Sequence, residues 1–188
     1  MIRRAMVSDV RHIAELINTY AGTGQMLFRS HAELYETIRD FFVYSADETK
    51  AVVGVCALEI VWADLAEVKS LAVHPEWGGR HIGRELVEAA ITDARAMQIQ
   101  RVFALTYKQK FFEHLGFSVV DRSKLPLKVW SDCLKCSKRH ACDEIAVVRE
   151  LFPAPAVAEG NPDSLAALRY DVPTPLVQLG TSPRRNKP

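Results

Sequence analysis

The chain has 188 residues, enough for one domain with a full core and too few for two ordinary ones. Hydrophobic residues make up 48 % and charged residues 25 %, the balance of a folded soluble protein, and 24 basic against 23 acidic side chains leave a formal charge of +1. That near-neutrality excludes a global field for holding DNA or an anionic membrane; no apolar run approaches the ~20 residues of a membrane span, and Met1-Ile2-Arg3-Arg4 is followed by no leader-like apolar stretch, so a cytoplasmic protein is expected.

In chain order, Ile2 to Ala5 is a predicted strand, after which Ser8 is expected to cap a helix whose Ile13, Leu16, Ile17 and Tyr20 share one face and which ends near Ala21-Gly22. Gly22-Thr23-Gly24 breaks the pattern. Ser30 and Glu33 then form an S-x-x-E capping box ahead of Leu34, Ile38 and Phe41, which predicts a second helix. Phe41 to Ser45 and Ala51 to Trp62 are rich in β-branched and aromatic residues and flank polar Asp47 to Lys50, the signature of a hairpin. Leu65 to Val73 continues as a strand after an Ala63-Asp64 turn. Pro75 stops it, and Ile82, Leu86, Val87, Ala90 and Ile91 recur at helical spacing to about Met97. Further on, Arg101 to Thr106 is a predicted strand, Lys108 to Leu115 a short helix closed by Gly116, Phe117 to Val120 a strand, and Ile145 to Leu151 the last strand. Seven of the nine prolines follow Leu151, so a domain over 1–151 is expected, with a cysteine-bearing loop at 131–143 and a largely irregular tail over 152–188 in which Leu165 to Leu168 form a short docking turn.

The segment Val73-His74-Pro75-Glu76-Trp77-Gly78-Gly79-Arg80-His81-Ile82-Gly83-Arg84 sets glycines between a strand end and a helix start. There, unpaired backbone N–H groups and the helix dipole favour an anion, and absent Cβ atoms allow close approach. An ordinary tight turn is the other reading of the same glycines.

This stretch resembles motif A of the GNAT acetyltransferases, and Tyr107-Lys108-Gln109-Lys110-Phe111-Phe112-Glu113-His114-Leu115-Gly116-Phe117 resembles their motif B. The resemblance implies an α/β GNAT fold: a mixed sheet of about seven strands, splayed at the middle where acetyl-CoA inserts, with about four helices. It implies contact with acetyl-CoA by Leu71, Ala72 and Val73, by Gly78, Gly79, Arg80, His81, Ile82, Gly83 and Arg84, and by Phe112. Gly78 and His81 depart from the usual motif, where Gln or Arg and a glycine stand, so His81 must take up the turn's backbone geometry with a Cβ.

Direct attack of a neutral amine on a thioester requires a base for the ammonium proton and assistance for the departing thiolate. Glu67 is the candidate base; on a strand of period two it is expected to share a face with Lys69, Leu71 and Val73, and the alternative is an edge carboxylate paired with Lys69. Phe112 stands where many members have a tyrosine, so Tyr107 or Thr106 is the candidate acid, with water as the fallback and packing as the other use of Tyr107.

Asn18-Thr19-Tyr20-Ala21, Leu27-Phe28-Arg29-Ser30 and Glu67-Val68-Lys69-Ser70-Leu71-Ala72-Val73-His74-Pro75 further resemble the short, single-domain N-acetylglutamate synthases of arginine biosynthesis, over roughly residues 1 to 150. That resemblance implies L-glutamate as the acceptor, with Arg29, Lys69, Ser70 and Lys128 lining its site; Arg29 and Lys128 read equally as solvated surface charges. A homodimer is expected, and nucleic acid is not. The alternatives are another small amine, a protein amino terminus, or a zinc-bearing module that only senses CoA. Cys133, Cys136, His140 and Cys142 have spacing that closes around one tetrahedral zinc, or else they are free thiols or a redox switch. Cys56, in an apolar strand, is expected in the core.

Overall fold

The computed structural model describes residues 1–46, 51–125, 136, 138 and 141–152. Lys128, Cys133, His140 and the tail beyond Phe152 lie outside the described residues.

The described chain forms β1 (Ile2–Arg4), α1 (Val10–Ala21), α2 (His31–Glu36), β2 (Phe41–Ser45), β3 (Val52–Trp62), β4 (Leu65–Val73), α3 (Ile82–Ala96), β5 (Arg101–Thr106), α4 (Gln109–Glu113), β6 (Ser118–Val119) and β7 (Ile145–Glu150). The strands make one seven-stranded sheet in the order β1-β2-β3-β4-β5-β7-β6. Every neighbouring pair is antiparallel except β4 and β5, which run parallel because α3 carries the chain across between them. Among the described residues no helix is long and apolar enough to cross a membrane.

Each sheet face buries one apolar set, as the strand period of two requires. On one face, Ile13, Leu16 and Ile17 of α1 pack with Leu34, Phe41, Val43, Val55, Ala57 and Ala72. On the other, Ile82, Leu86, Val87, Ala90 and Ile91 of α3 pack with Phe42, Cys56, Leu58, Ala66 and Val68. Cys56 is fully buried, and burial pushes its thiol up to about 12, so it is an unreactive core residue. Gly54 lets α3 approach: a Cβ there would lie 2.8 Å from Ile82 Cγ2 and 3.0 Å from Leu86 Cδ1.

The entrance to α1 differs from the sequence expectation. Ser8 does not cap the helix; it is exposed within a 3-10 turn over Val7–Asp9. Asp9 precedes α1 without a side-chain bond into the helix and instead closes the turn ahead of it. Its carboxylate accepts the Met6 N–H at 2.7 Å and both ends of the Arg3 guanidinium at 2.6 and 2.9 Å. The second helix starts as expected, with Ser30 Oγ accepting from the Glu33 N–H, but it is shorter. Thr37 turns its hydroxyl back onto the Glu33 carbonyl at 2.8 Å, Ile38–Asp40 tighten into a 3-10 turn, and Phe41 opens β2. The helix expected over Lys108 to Leu115 is confined to Gln109–Glu113, and Gly116, at φ +78°, reverses the chain after it.

Asp9→Ala removes three charge-assisted acceptor contacts and is expected to destabilise the fold by about 2–3 kcal/mol, read by denaturant unfolding at pH 7. Arg3 holds the Asp9 carboxyl below its ordinary range, so this contribution is complete above about pH 4 and disappears as pH falls through the lowered native value. The gap between the two proteins therefore closes only in acid.

Candidate active site

The site begins where two strands part. β4 and β5 pair at Leu65↔Arg101, Ala66↔Val102 and Glu67↔Phe103, and nowhere beyond. The paired end is tied by Arg101, whose guanidinium contacts the Asp64 carboxylate at 2.6 Å while its N–H donates to the Asp64 carbonyl at 3.0 Å. Past that clamp the strands diverge, and a cleft of about 870 Å³ opens between Val68 to Val73 on one side and Leu105 to Lys108 on the other. The loop after α1 and the segment leading into β7 complete its walls.

At one end of the cleft lies the turn into α3. Pro75–Trp77 form a 3-10 turn, Gly79 sits at φ +74° and His81 at φ +60°, so His81 does adopt a left-handed conformation with its Cβ present. The first helical hydrogen bond runs from the Glu85 N–H to the His81 carbonyl, which leaves the preceding N–H groups of Ile82, Gly83 and Arg84 without helical partners. Gly78, Gly79, Arg80, His81 and Arg84 are exposed, Arg80 stacks on the Trp77 ring at 4.6 Å, and the Ile82 side chain is buried in the core beneath. Of the turn, Gly83 borders the cleft; a Cβ on it would lie 3.6 Å from the Phe111 ring. Phe112 is only 4 % exposed and packs edge-on against Phe111 and Phe117, so its ring belongs to the core and reaches the cleft at its inner end.

Ser70 corrects the expected pattern along β4. Its φ of +52° makes a bulge: Ala57 pairs with Lys69 and Val55 with Ala72, so the single residue Cys56 stands opposite both Ser70 and Leu71. The extra residue reverses the alternation. Glu67 and Lys69 share their face with Ala72, toward α1 and α2, while Leu71 and Val73 turn to the α3 side instead of joining Glu67 as expected. Glu67 and Lys69 are mostly buried, at 13 % and 17 % side-chain exposure, and stand 3.9 Å apart. Lys69 also forms a close ion pair with Glu59 of β3, a residue that the sequence reading did not single out.

Arg29 reaches the same cleft from the loop after α1. Asn18 holds it in place, accepting the Arg29 N–H at 3.0 Å and donating to its carbonyl at 2.9 Å, and the Ser30 capping box follows at once. Arg29 and Lys69 also line a smaller polar cavity of about 170 Å³ with Glu33, Glu36, Asp40 and Glu59.

On the β5 side, Thr106 is buried and its Oγ1 accepts the Lys108 N–H at 2.9 Å, shaping the turn that carries Tyr107. The Tyr107 phenol lies 3.4 Å from Lys138 Nζ, and burial raises its pKa above the ordinary range, so it remains protonated at neutral pH. Glu144 lines the cleft as well, its pKa raised chiefly by burial. Cys136 and Cys142 border the cleft as free thiols; Cys136 Sγ accepts the Lys138 N–H at 3.4 Å, and Cys142 Sγ lies 3.7 Å from Glu144. Among the described residues no group of His, Cys, Asp or Glu gathers to hold a metal, and Cys133 and His140 of the expected zinc set lie outside them, as does Lys128.

Residues 9–117 match the sequence model of the acetyltransferase (GNAT) family. The chain is similar to an uncharacterized N-acetyltransferase of Chlorobaculum tepidum, 42% identical over 80% of this chain and 96% of that protein. It is also similar to an amino-acid acetyltransferase of Mycobacterium tuberculosis, 37% identical over 70% of this chain and 76% of the relative. Among solved structures, N-acetylglutamate synthase from Neisseria gonorrhoeae, complexed with coenzyme A and N-acetyl-glutamate, superposes with a TM-score of 0.73 at 30% identity, over 81% of this chain and 35% of that one.

His81→Gly should relieve the left-handed backbone at the start of α3 and raise stability by about 1 kcal/mol, read as a higher denaturant midpoint at unchanged slope. A lower midpoint would show that the imidazole contributes more than its backbone strain costs.

Proposed function

The chain belongs to the GNAT family of acetyltransferases, and from that membership we propose that it transfers the acetyl group of acetyl-CoA to the α-amine of L-glutamate, the opening step of arginine synthesis, in the cytoplasm. The coarser statement is plain: it is an acetyl-CoA-dependent transferase of the amino-acid acetyltransferase kind, as its family and its relatives indicate. The observation that carries the finer reading is that one cleft gathers a carboxylate, Glu67, with two cations, Lys69 and Arg29. A dicarboxylic amine needs such a set: cations for its carboxylates and a base beside its nitrogen.

The cleft suits acetyl-CoA at both ends. The N–H groups that open α3 without helical partners suit a pyrophosphate, and the half of β4 that β5 leaves unpaired suits an extended amide arm. When bound, acetyl-CoA supplies a thioester whose carbonyl the neutral amine attacks as the thiolate leaves.

Glu67 takes the ammonium proton, directly or through one water, and its mostly buried position limits competition from solvent. Tyr107, a phenol protonated at neutral pH, donates to the thiolate, and Thr106 shapes the turn that aims it. Arg29 and Lys69 hold the substrate carboxylates. Ser70 contributes through its bulged backbone.

A small acceptor is favoured over a peptide by the approach of Gly24 and Lys138, both of which line the cleft: a Cβ on Gly24, in the loop after α1, would lie 3.9 Å from Lys138 Cε.

Thiol release from acetyl-CoA, measured over a panel including L-glutamate, L-glutamine, L-aspartate and simple amines, should be selective for glutamate. Release with a different amine would retain the transferase and discard the glutamate assignment. Glu67→Gln should lower kcat by roughly two to four orders of magnitude while leaving acetyl-CoA affinity unchanged. Arg29→Ala should raise the KM for glutamate about tenfold or more with a smaller change in kcat, the pattern of lost ground-state binding; an unchanged KM would remove Arg29 from the acceptor site.

A further inference from the structure

Glu59 and Glu67 stand directly opposite each other on the antiparallel pair β3–β4. Like charges in that register repel and weaken a sheet. Here the Lys69 ammonium relieves the repulsion, in a close ion pair with Glu59 and 3.9 Å from Glu67. Lys69 is largely buried whereas Glu59 is 39 % exposed, so the lysine is held from outside by a carboxylate at the rim. All three stand on one face because the register from Glu67 to Lys69 is regular, the bulge at Ser70 lying beyond it.

We propose that Glu59 is a positioning residue for the transfer reaction: it holds the Lys69 ammonium between the two carboxylates, so that the lysine meets Glu67 and the acceptor's carboxylate from one fixed place. An ammonium has three N–H donors, enough for Glu59, Glu67 and a substrate carboxylate together. Without Glu59 the Lys69 ammonium loses its close ion pair and with it one fixed place beside Glu67. Among the described residues, the polar cavity on this side also brings Arg29 from the loop after α1, Glu33 and Glu36 at α2, and Asp40 in the turn before β2. Asp40 is raised above the usual carboxylate range, first by burial and then by the field of Glu59, while Lys69 and Arg4 pull it the other way, which places it in the same electrostatic unit.

This inference rests on the reading of Glu67 as the base and Lys69 as a substrate cation. A lysine without its fixed place holds the acceptor's carboxylate less well, so the expected effect is on acceptor binding. In Glu59→Gln the KM for the acceptor should rise about three- to tenfold, with a smaller fall in kcat. Glu59→Asp should restore much of both. Independently, the Lys69 side-chain amine resonance, assigned through Lys69→Arg in isotope-labelled protein, should be well ordered in the wild type and motionally averaged in Glu59→Gln. Equal melting temperatures would exclude a folding defect. An ordered Lys69 signal retained in Glu59→Gln overturns the proposal, as does an unchanged acceptor KM when Glu67→Gln abolishes turnover. If Glu67→Gln stays active, the reading of Glu67 as base is what fails, and the lysine signal still decides whether Glu59 holds it.

Discussion

The parallel pairing of β4 and β5 over three residues is the constraint on which the rest of this molecule depends. Parallel neighbours are normally paired along their length, with helices covering both faces. Here the Asp64–Arg101 clamp closes one end, and past Glu67 each strand keeps only its outer partner, β3 for one and β7 for the other. The sheet remains continuous because the core beneath α3 runs from β3 and β4 to Val102, Ala104 and Val147 of the strands beyond. A cleft made this way has a rigid floor and backbone-lined walls, which suits an extended ligand better than a pocket of mobile side chains would.

Within that frame the bulge at Ser70 divides labour between the sheet faces. Before it, Glu67 and Lys69 point toward α1 and α2, where Arg29, Glu59 and Asp40 make a polar neighbourhood; after it, Leu71 and Val73 lean toward α3 and an apolar one. One extra residue in β4 therefore separates the charged side chains Glu67 and Lys69 from the apolar end of the cleft that leads to the turn into α3. A regular strand would have put Glu67 and Leu71 on the same face. The left-handed conformation of Ser70 is local strain kept where it serves the proposed chemistry.

Much of this was legible in the residues. Amphipathic spacing located α1 and α3, the Ser30 capping box located the start of α2, and alternating β-branched segments around polar Asp47 to Lys50 located the β2–β3 hairpin. The glycine turn could be found because glycines clustered between a strand end and a helical spacing mark a break in the chain. What failed were features set by tertiary competition. Ser8 looks like a cap, yet it lies in the turn ahead of α1, where Asp9 bonds back to the Met6 N–H and to Arg3 of β1. Ile38 and Phe41 continue a helical spacing, yet β2 claims Phe41 for a sheet position buried against α1. Glu59 carries no local signal, since its importance comes from standing opposite Glu67 in a register displaced by bulges.

The sequence by itself determined the element order, the two-faced core and the family, because these follow from periodicity, turn chemistry and motif words that act over a few residues. It also named the side chains of the cleft, Glu67, Lys69, Arg29 and Tyr107 among them. Only the tertiary structure decided how they face one another: which side of β4 each residue takes after the bulge, how far β4 and β5 stay paired, and that Glu59 and Lys69 form one charged unit with Glu67. Those outcomes depend on strand register and on pairs separated along the chain, where a shift of one residue inverts every side chain and leaves the local pattern unchanged.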